Sequence, residues 1–249
     1  MNANAFVIGA SSLLAALTLA AKEPAPLITN PGNALLSEDF SGASLLAKWQ
    51  TGGRPKSFNI VDGALQGVCA PDDGHGPSVA LPIEGRDLII RFSVKLAKPG
   101  LALFLVDGES QFGGTAHLLR VGLGSRAAVL QQDRGSLESR QARATERAKA
   151  AKEGRKPAPP TKEQLADSKF YRTETLDQES VELDDGQWHH VLVEINGNES
   201  VAQVDGVVLR ARSAVFDAKK SRLAFLVGRA GTMLIDDVKV WANSTATKQ

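Results

Sequence analysis

Two carboxylates, Glu194 and Glu199, flank Asn196 in the stretch VEINGNESVAQVDG, residues 193–206. Paired carboxylates on one strand face can divide glycoside hydrolysis between an acid and a nucleophile or base. The residues between them argue for a turn instead. With Gly197 and Asn198 as a two-residue loop, Asn196 lies opposite Glu199, Ile195 opposite Ser200, Val193 opposite Ala202 and Val191 opposite Val204. Gly at the first loop position suits a type II′ hairpin, and the apolar residues then share a face. A loop through Asn196 and Gly197 would set Glu194 against Glu199, a destabilising like-charge pair. In either register the motif crosses a turn and does not present a row of carboxylates.

The other side chains suited to proton transfer or charge stabilisation are His75, His117, Arg91, Arg120, Asp133, His189 and His190. His75 lies in the Gly-rich run PDDGHGPS, where it is a candidate base, part of a cation site or simply a turn residue. His117 shares parity with Leu119, Val121 and Leu123, which predicts a histidine at the edge of the core, while Arg120 has the opposite parity. With Arg91 it is expected to decorate an exposed sheet face. His189 and His190 are adjacent, so a strand points them to opposite faces and they cannot share a metal. Trp188 invites sugar stacking, as do Trp49 and Trp241, but all three stand at strand ends where core packing is the expectation. In LIDDVKV, Asp236 shares parity with Leu234, Val238 and Val240, so it is expected to face the core, paired to amides or a cation. Glu38 and Asp39 are the candidates to complete a structural calcium site with it.

The elements that must hold these groups are short apolar runs punctuated by Gly, Asp and Asn. In RDLIIRFSVKL, Leu88, Ile90, Phe92, Val94 and Leu96 share one face and Arg91, Ser93 and Lys95 the other, the pattern of a half-buried strand. Similar runs recur along the chain without a comparable amphipathic helix among them, so the core is expected to be an antiparallel sandwich or barrel. One segment, 136–169, breaks the pattern with a charged helix, a stiff KPAPP break and a second short helix. Residues 140–156 carry seven basic side chains against two acidic ones. A solvated helical excursion is the simple reading, and docking onto an acidic polymer or a protein partner is its rival.

The chain has 249 residues, 43% of them hydrophobic, and a formal net charge of +1. Such a balance gives no reason to expect nucleic acid as a partner. The lone Cys69 excludes an internal disulfide. Residues 1–21 contain the apolar run AFVIGASSLLAALTLAA and read as a signal peptide, or as a membrane anchor if uncleaved. The expected organisation is then a linker over 22–34, a single sandwich over 35–242 with the insertion at 136–169, and a polar tail over 243–249. Export to the periplasm or cell surface follows.

Several stretches carry a family resemblance. The spacing of Glu194, Asn196 and Glu199 resembles the E-x-D-x-x-E strand of glycoside hydrolase family 16, with Asn196 in place of its central Asp. GQWHHVLVEINGNESVAQVDG resembles the recurrent hairpin of concanavalin A-like jelly rolls, and EDFSGASLLAKWQTGGRPKSFNIVDGALQG their opening. HLLRVGLGSRAAVLQQD is similar to a middle hairpin and IDDVKVW to the closing strand. Together they most resemble the 3-keto-disaccharide hydrolase domain family. The resemblance implies an all-β jelly-roll sandwich with one charged helical insertion and an N-terminal signal-like helix. It also implies an exported glycan-associated protein that binds carbohydrate on the sheet face or loops, through Arg91, Arg120, His190 and Trp188. The alternative it implies is a hydrolase or lyase of 3-keto-glycosides. A 3-keto sugar has an acidified C2 proton, so cleavage by elimination needs a base and a group that polarises the carbonyl. His75, His117, Arg120 and Asp133 are the candidates for those roles. No cofactor is implied beyond the calcium considered above.

Overall fold

The computed structural model describes residues 23–42, 45, 47–52, 56–71, 73, 76–228 and 231–244. The signal-like segment 1–21, His75 and tail residues 245–249 lie outside the described residues.

In chain order the strands are β1 (Pro31–Glu38), β2 (Gln50–Gly52), β3 (Phe58–Val61), β4 (Ala64–Val68) and β5 (Ser78–Gly85). β6 (Leu88–Leu96), β7 (Leu101–Glu109), β8 (Thr115–Gly124) and β9 (Ala127–Arg134) follow. The insertion then forms α1 (Leu137–Lys152) and α2 (Lys162–Ala166). The chain continues as β10 (Arg172–Ser180), β11 (His189–Asn196), β12 (Glu199–Val204), β13 (Val207–Arg212), β14 (Lys220–Val227) and β15 (Thr232–Asn243). One sheet has eight strands in the order β13-β12-β11-β6-β15-β4-β3, with β1 added on β15; the other has seven, ordered β10-β9-β8-β7-β14-β5-β2. All pairings are antiparallel, as in the predicted jelly-roll sandwich. β1 begins at Pro31, inside the stretch that reads as linker.

The alternation in β6 is realised as expected. Leu88, Ile90, Phe92, Val94 and Leu96 are all buried, and Arg91 and Lys95 lie on the outer side. Phe92 meets Phe104 and Phe225 of the opposite sheet at centroid distances of 5.0 Å each, and those two rings stand 5.2 Å apart. This aromatic triad joins the sheets at the centre of the core. Trp49 is packed there too, against Phe40 and Phe225, with Glu38 accepting its indole N–H.

The hairpin takes the predicted register, with Asn196 opposite Glu199 and Val193 opposite Ala202, and Gly197 has φ +56. Two other facings differ from expectation because of β-bulges. In β8 the register shifts between Val106–Leu119 and Asp107–His117, which makes Leu118 an extra residue and turns His117 outward. In β15 it shifts between Asp236 and Lys239, with Asp237 at φ +52. Val238 and Val240 therefore face the core together with Met233 and Ile235, while Asp236 pairs with Ser93 on the outer side and is only half-buried. Burial and the neighbouring charges of Asp237 and Asp39 push the Asp236 carboxyl up, even though it accepts the Asp237 amide.

Candidate functional site

The outer face of the eight-stranded sheet carries Arg91, His190 and Glu194, and the chain's own N-terminal segment lies across it. Glu194, fully buried, accepts the backbone N–H groups of Leu27, Ile28 and Thr29 at 2.9–3.0 Å and the Thr29 hydroxyl at 2.7 Å. Asn196 donates to the Ile28 carbonyl and Gln203 to that of Ala25. Arg91 pairs with Glu23 and stands over the Trp241 ring. His190 Nδ1 meets the Ser93 hydroxyl at 3.1 Å. Glu199 turns to Arg210 and Arg212. Glu194 and Glu199 therefore serve as an anchor and an ion pair, and do not flank a common cleft.

Arg91 and Arg120 were expected on one face; they sit on different sheets, because strand order is set by long-range pairing that parity cannot reveal. Trp188 is exposed just before β11, and Trp241 lies on the outer face, so of the three tryptophans only Trp49 is a core residue. The proposed calcium ligands do not form one set, although Asp39 and Asp236 are near enough for their charges to interact. Glu38 is inward and committed to Phe40 N–H and the Trp49 indole, Asp39 accepts Ser41 N–H, and Asp236 faces out. Among the described residues no group of three or more His, Cys, Asp or Glu is placed to hold a metal.

His189, one of the candidate histidines, is clamped at one end of the hairpin. Its Nδ1 lies 2.6 Å from Asp205 and its Nε2 3.0 Å from Asp185. Since a carboxylate only accepts, both ring nitrogens must donate, which requires the imidazolium. The bond to Asp205 raises the His189 pKa against the opposing effect of burial, with Asp185 adding to the rise. The stabilisation is thus full below the ordinary value of 6.5 and is lost as pH rises through the elevated one. Urea unfolding of His189→Gln is expected to show a deficit of about 1.5–3 kcal/mol at pH 5.5 that narrows towards pH 9. A gap that widens with pH would contradict the clamp.

On the outer face of the seven-stranded sheet a different arrangement appears. Here the bulge in β8 brings His117 beside Asp107 of β7, with Nδ1 2.6 Å from Oδ1. Arg140 of α1 approaches His117 Nε2 at 2.9 Å. A guanidinium only donates, so Nε2 accepts and the ring proton sits on Nδ1, donating to Asp107. Asp107 is fully buried and also accepts Arg222 Nε at 2.8 Å. Next along β8, Arg120 pairs with Asp133 of β9, and the Tyr171 hydroxyl donates to Asp133 at 3.0 Å while accepting from Arg120 at 3.1 Å. Burial, and after it the Asp133 charge, raises the Tyr171 phenol above its ordinary value.

His117, Arg120, Tyr171 and Arg222 wall a cleft of about 410 Å³ whose floor is Ala80, Leu103, Leu105, Ala224 and Leu226. Its roof is α1, which turns Arg140, Arg143, Ala144 and Arg147 inward at helical spacing. The helix is held there by Ser136, which caps it by accepting Ser139 N–H, and by Ser139 Oγ accepting Tyr171 N–H. Arg143 stands 4.7 Å above the Phe170 ring, and Ala150 is buried. The insertion has the predicted two helices and is exposed over most of its length, but one face of α1 lines the cleft. Three predicted residues, His117, Arg120 and Asp133, therefore come together, while Arg91, His190 and Trp188 lie elsewhere. Asp107, Arg140, Tyr171 and Arg222 were missed, although a carboxylate at the parity of Leu103 and Leu105 in LALFLVDGE was a legible signal for Asp107.

Fold and cleft together define a jelly-roll β-sandwich with a roofed polar site on one sheet. Residues 166–243 match the Laminin G domain family. No curated protein matches the sequence. Among solved structures, the chain is similar to a LamA variant from Z. galactanivorans in complex with laminaritriose and laminaritetraose. That likeness has a TM-score of 0.56 at 12% identity and covers 85% of this chain and 100% of that one. It is also similar to SCLam, a non-specific endo-beta-1,3(4)-glucanase of family GH16, at TM-score 0.54 and 11% identity, covering 86% and 95%. A Bacteroides ovatus GH16 protein in complex with a G4G4G3G product gives TM-score 0.54 at 13% identity, covering 83% and 99%. At these identities the likeness is one of fold.

Proposed function

We propose that the chain is an exported, glycan-associated jelly-roll protein that binds carbohydrate in the cleft between the seven-stranded sheet and α1. The observation that carries this reading is the convergence of His117, Arg120 and Tyr171, the last two held by Asp133, above an apolar floor. A pyranose presents hydroxyls around its edge and C–H groups on its faces, and this cleft offers matching polar walls and apolar base. The oligosaccharide complexes of structurally similar proteins support it.

The Asp107–His117 pair favours a second reading, elimination from a 3-keto-glycoside. Asp107 orients the imidazole so that Nε2 carries the lone pair. With Arg140 displaced by substrate, Nε2 would take the C2 proton and form an enolate. Arg120 would stabilise the enolate oxygen, and the electron pair would then expel the C1 oxygen substituent.

Titration of the full chain against a panel of oligosaccharides tests the binding reading. Arg120→Ala is expected to weaken binding at least tenfold, the loss of about one charge-assisted hydrogen bond. A variant in which a Gly-Ser linker replaces residues 137–168 should still unfold cooperatively, because Arg134 and Arg172 pair at the base of the insertion, and should lose binding. No retention of any glycan by the intact chain would end the proposal. Turnover of 3-keto-glucosides that falls more than about a hundredfold in His117→Ala would establish the second reading.

A further inference from the structure

We propose that the cleft selects sugars carrying an anionic group, either a ring carboxylate or a sulfate ester. This rests on the carbohydrate-binding reading and adds the class of ligand. Five arginines line the cleft, and they divide into two kinds. Arg120 and Arg222, on the sheet, are each matched by a carboxylate, Asp133 and Asp107.

The three on the roof have no carboxylate partner among the described residues. Arg140 donates to the neutral nitrogen of His117, and Arg143 lies over the Phe170 ring with its buried Nε making no hydrogen bond. Arg147 is exposed and forms no ion pair among the described residues. The acids of α1 cannot compensate. A repeat of 3.6 residues per turn places Glu138 opposite Arg140, Arg143 and Arg147, while Glu146 stands on the flank of their face, three residues from Arg143, and Glu153 is the C-cap beyond the last turn. Two of those acids are held by Arg155: Glu146 at 2.8 Å and Glu153 at 2.6 Å. Unmatched guanidiniums are thus concentrated on the face that closes the cleft. Their planar forks suit carboxylate or sulfate oxygens, and the sheltered site weakens competition from water. The apolar floor matches a sugar ring better than an acidic peptide backbone.

The test is calorimetric titration of the full chain with a neutral β-glucan oligosaccharide, an oligouronate, a sulfated oligosaccharide of similar length, and polyglutamate. The oligouronate or the sulfated sugar is expected to bind at least about tenfold tighter than the neutral one, with affinity falling as salt rises. Whichever of the two binds more tightly identifies the anionic group. The preference should disappear in Arg143→Gln/Arg147→Gln, with Arg147→Gln alone as the variant least able to disturb folding. Equal affinity for neutral and acidic sugars would overturn this inference and leave the binding reading standing. Polyglutamate binding as tightly as the acidic sugars would also overturn it, marking an unspecific cationic surface. Failure of every sugar to bind would remove both.

Discussion

Glu194→Ala is expected to lower the unfolding free energy by about 2–4 kcal/mol and to release the segment leading into β1. The carboxylate is fully buried and accepts three consecutive backbone N–H groups and the Thr29 hydroxyl. Removing it leaves those donors without an acceptor while the segment stays docked. Undocking restores them to water, which limits the loss but uncovers Leu192 and Val201, both buried on the outer face. Glu194→Gln should recover only part of the stability, because its amide nitrogen adds a donor where donors already converge. Urea unfolding measures the first effect, and protease cleavage within residues 23–30 the second. Wild-type stability and wild-type protease resistance in both variants would show that the contact contributes nothing. A loss of turnover without loss of stability would restore the catalytic reading of Glu194.

That residue also shows what was legible in the sequence. The hairpin around Gly197 follows from alternation, turn chemistry and like-charge repulsion, all local, and its register is the one observed. What occupies the buried Glu194 is not local, since its partners lie some 165 residues away. The core strands were readable for the same reason as the hairpin: period-two patterning fixes the inward side of β6 without knowledge of its neighbours. His117 and Asp236 fail that test because a bulge inserts one residue and reverses parity beyond it. An Asp at positive φ in β15 is a weak sequence signal, and Leu118 in β8 gives none. The helices of the insertion were visible in composition, but the side of α1 that meets a sheet depends on Phe170, Tyr171 and the cap at Ser136, which no periodicity in the helix encodes.

Asp107→Asn is expected to cost about 2–4 kcal/mol at neutral pH, as the loss of one partner in a buried ionic pair moderated by the solvent access of Arg222. The wild-type carboxylate uses one oxygen for His117 and the other for Arg222. An asparagine keeps one acceptor, so one of these donors meets an NH₂ group instead. Burial alone would push the Asp107 carboxyl up, yet the hydrogen bonds from His117 and Arg222 and the Arg222 charge hold it below the ordinary 3.8. A carboxyl depressed by folding stabilises fully above its unfolded value and loses that stabilisation as pH falls through the folded one. The gap between wild type and Asp107→Asn should therefore stay constant across the neutral range and close only below about pH 4. Arg222→Gln in the Asp107→Asn background should cost less than it does alone, since its partner charge is already gone. In the elimination reading the same variant frees the His117 tautomer, so turnover should fall more than about a hundredfold while Arg222→Gln retains far more. Additive costs for Asp107→Asn and Arg222→Gln, together with a gap that persists at pH 3, would show that Asp107 is not ionised in the fold, and the assignment of His117 Nε2 as the free acceptor would lose its support.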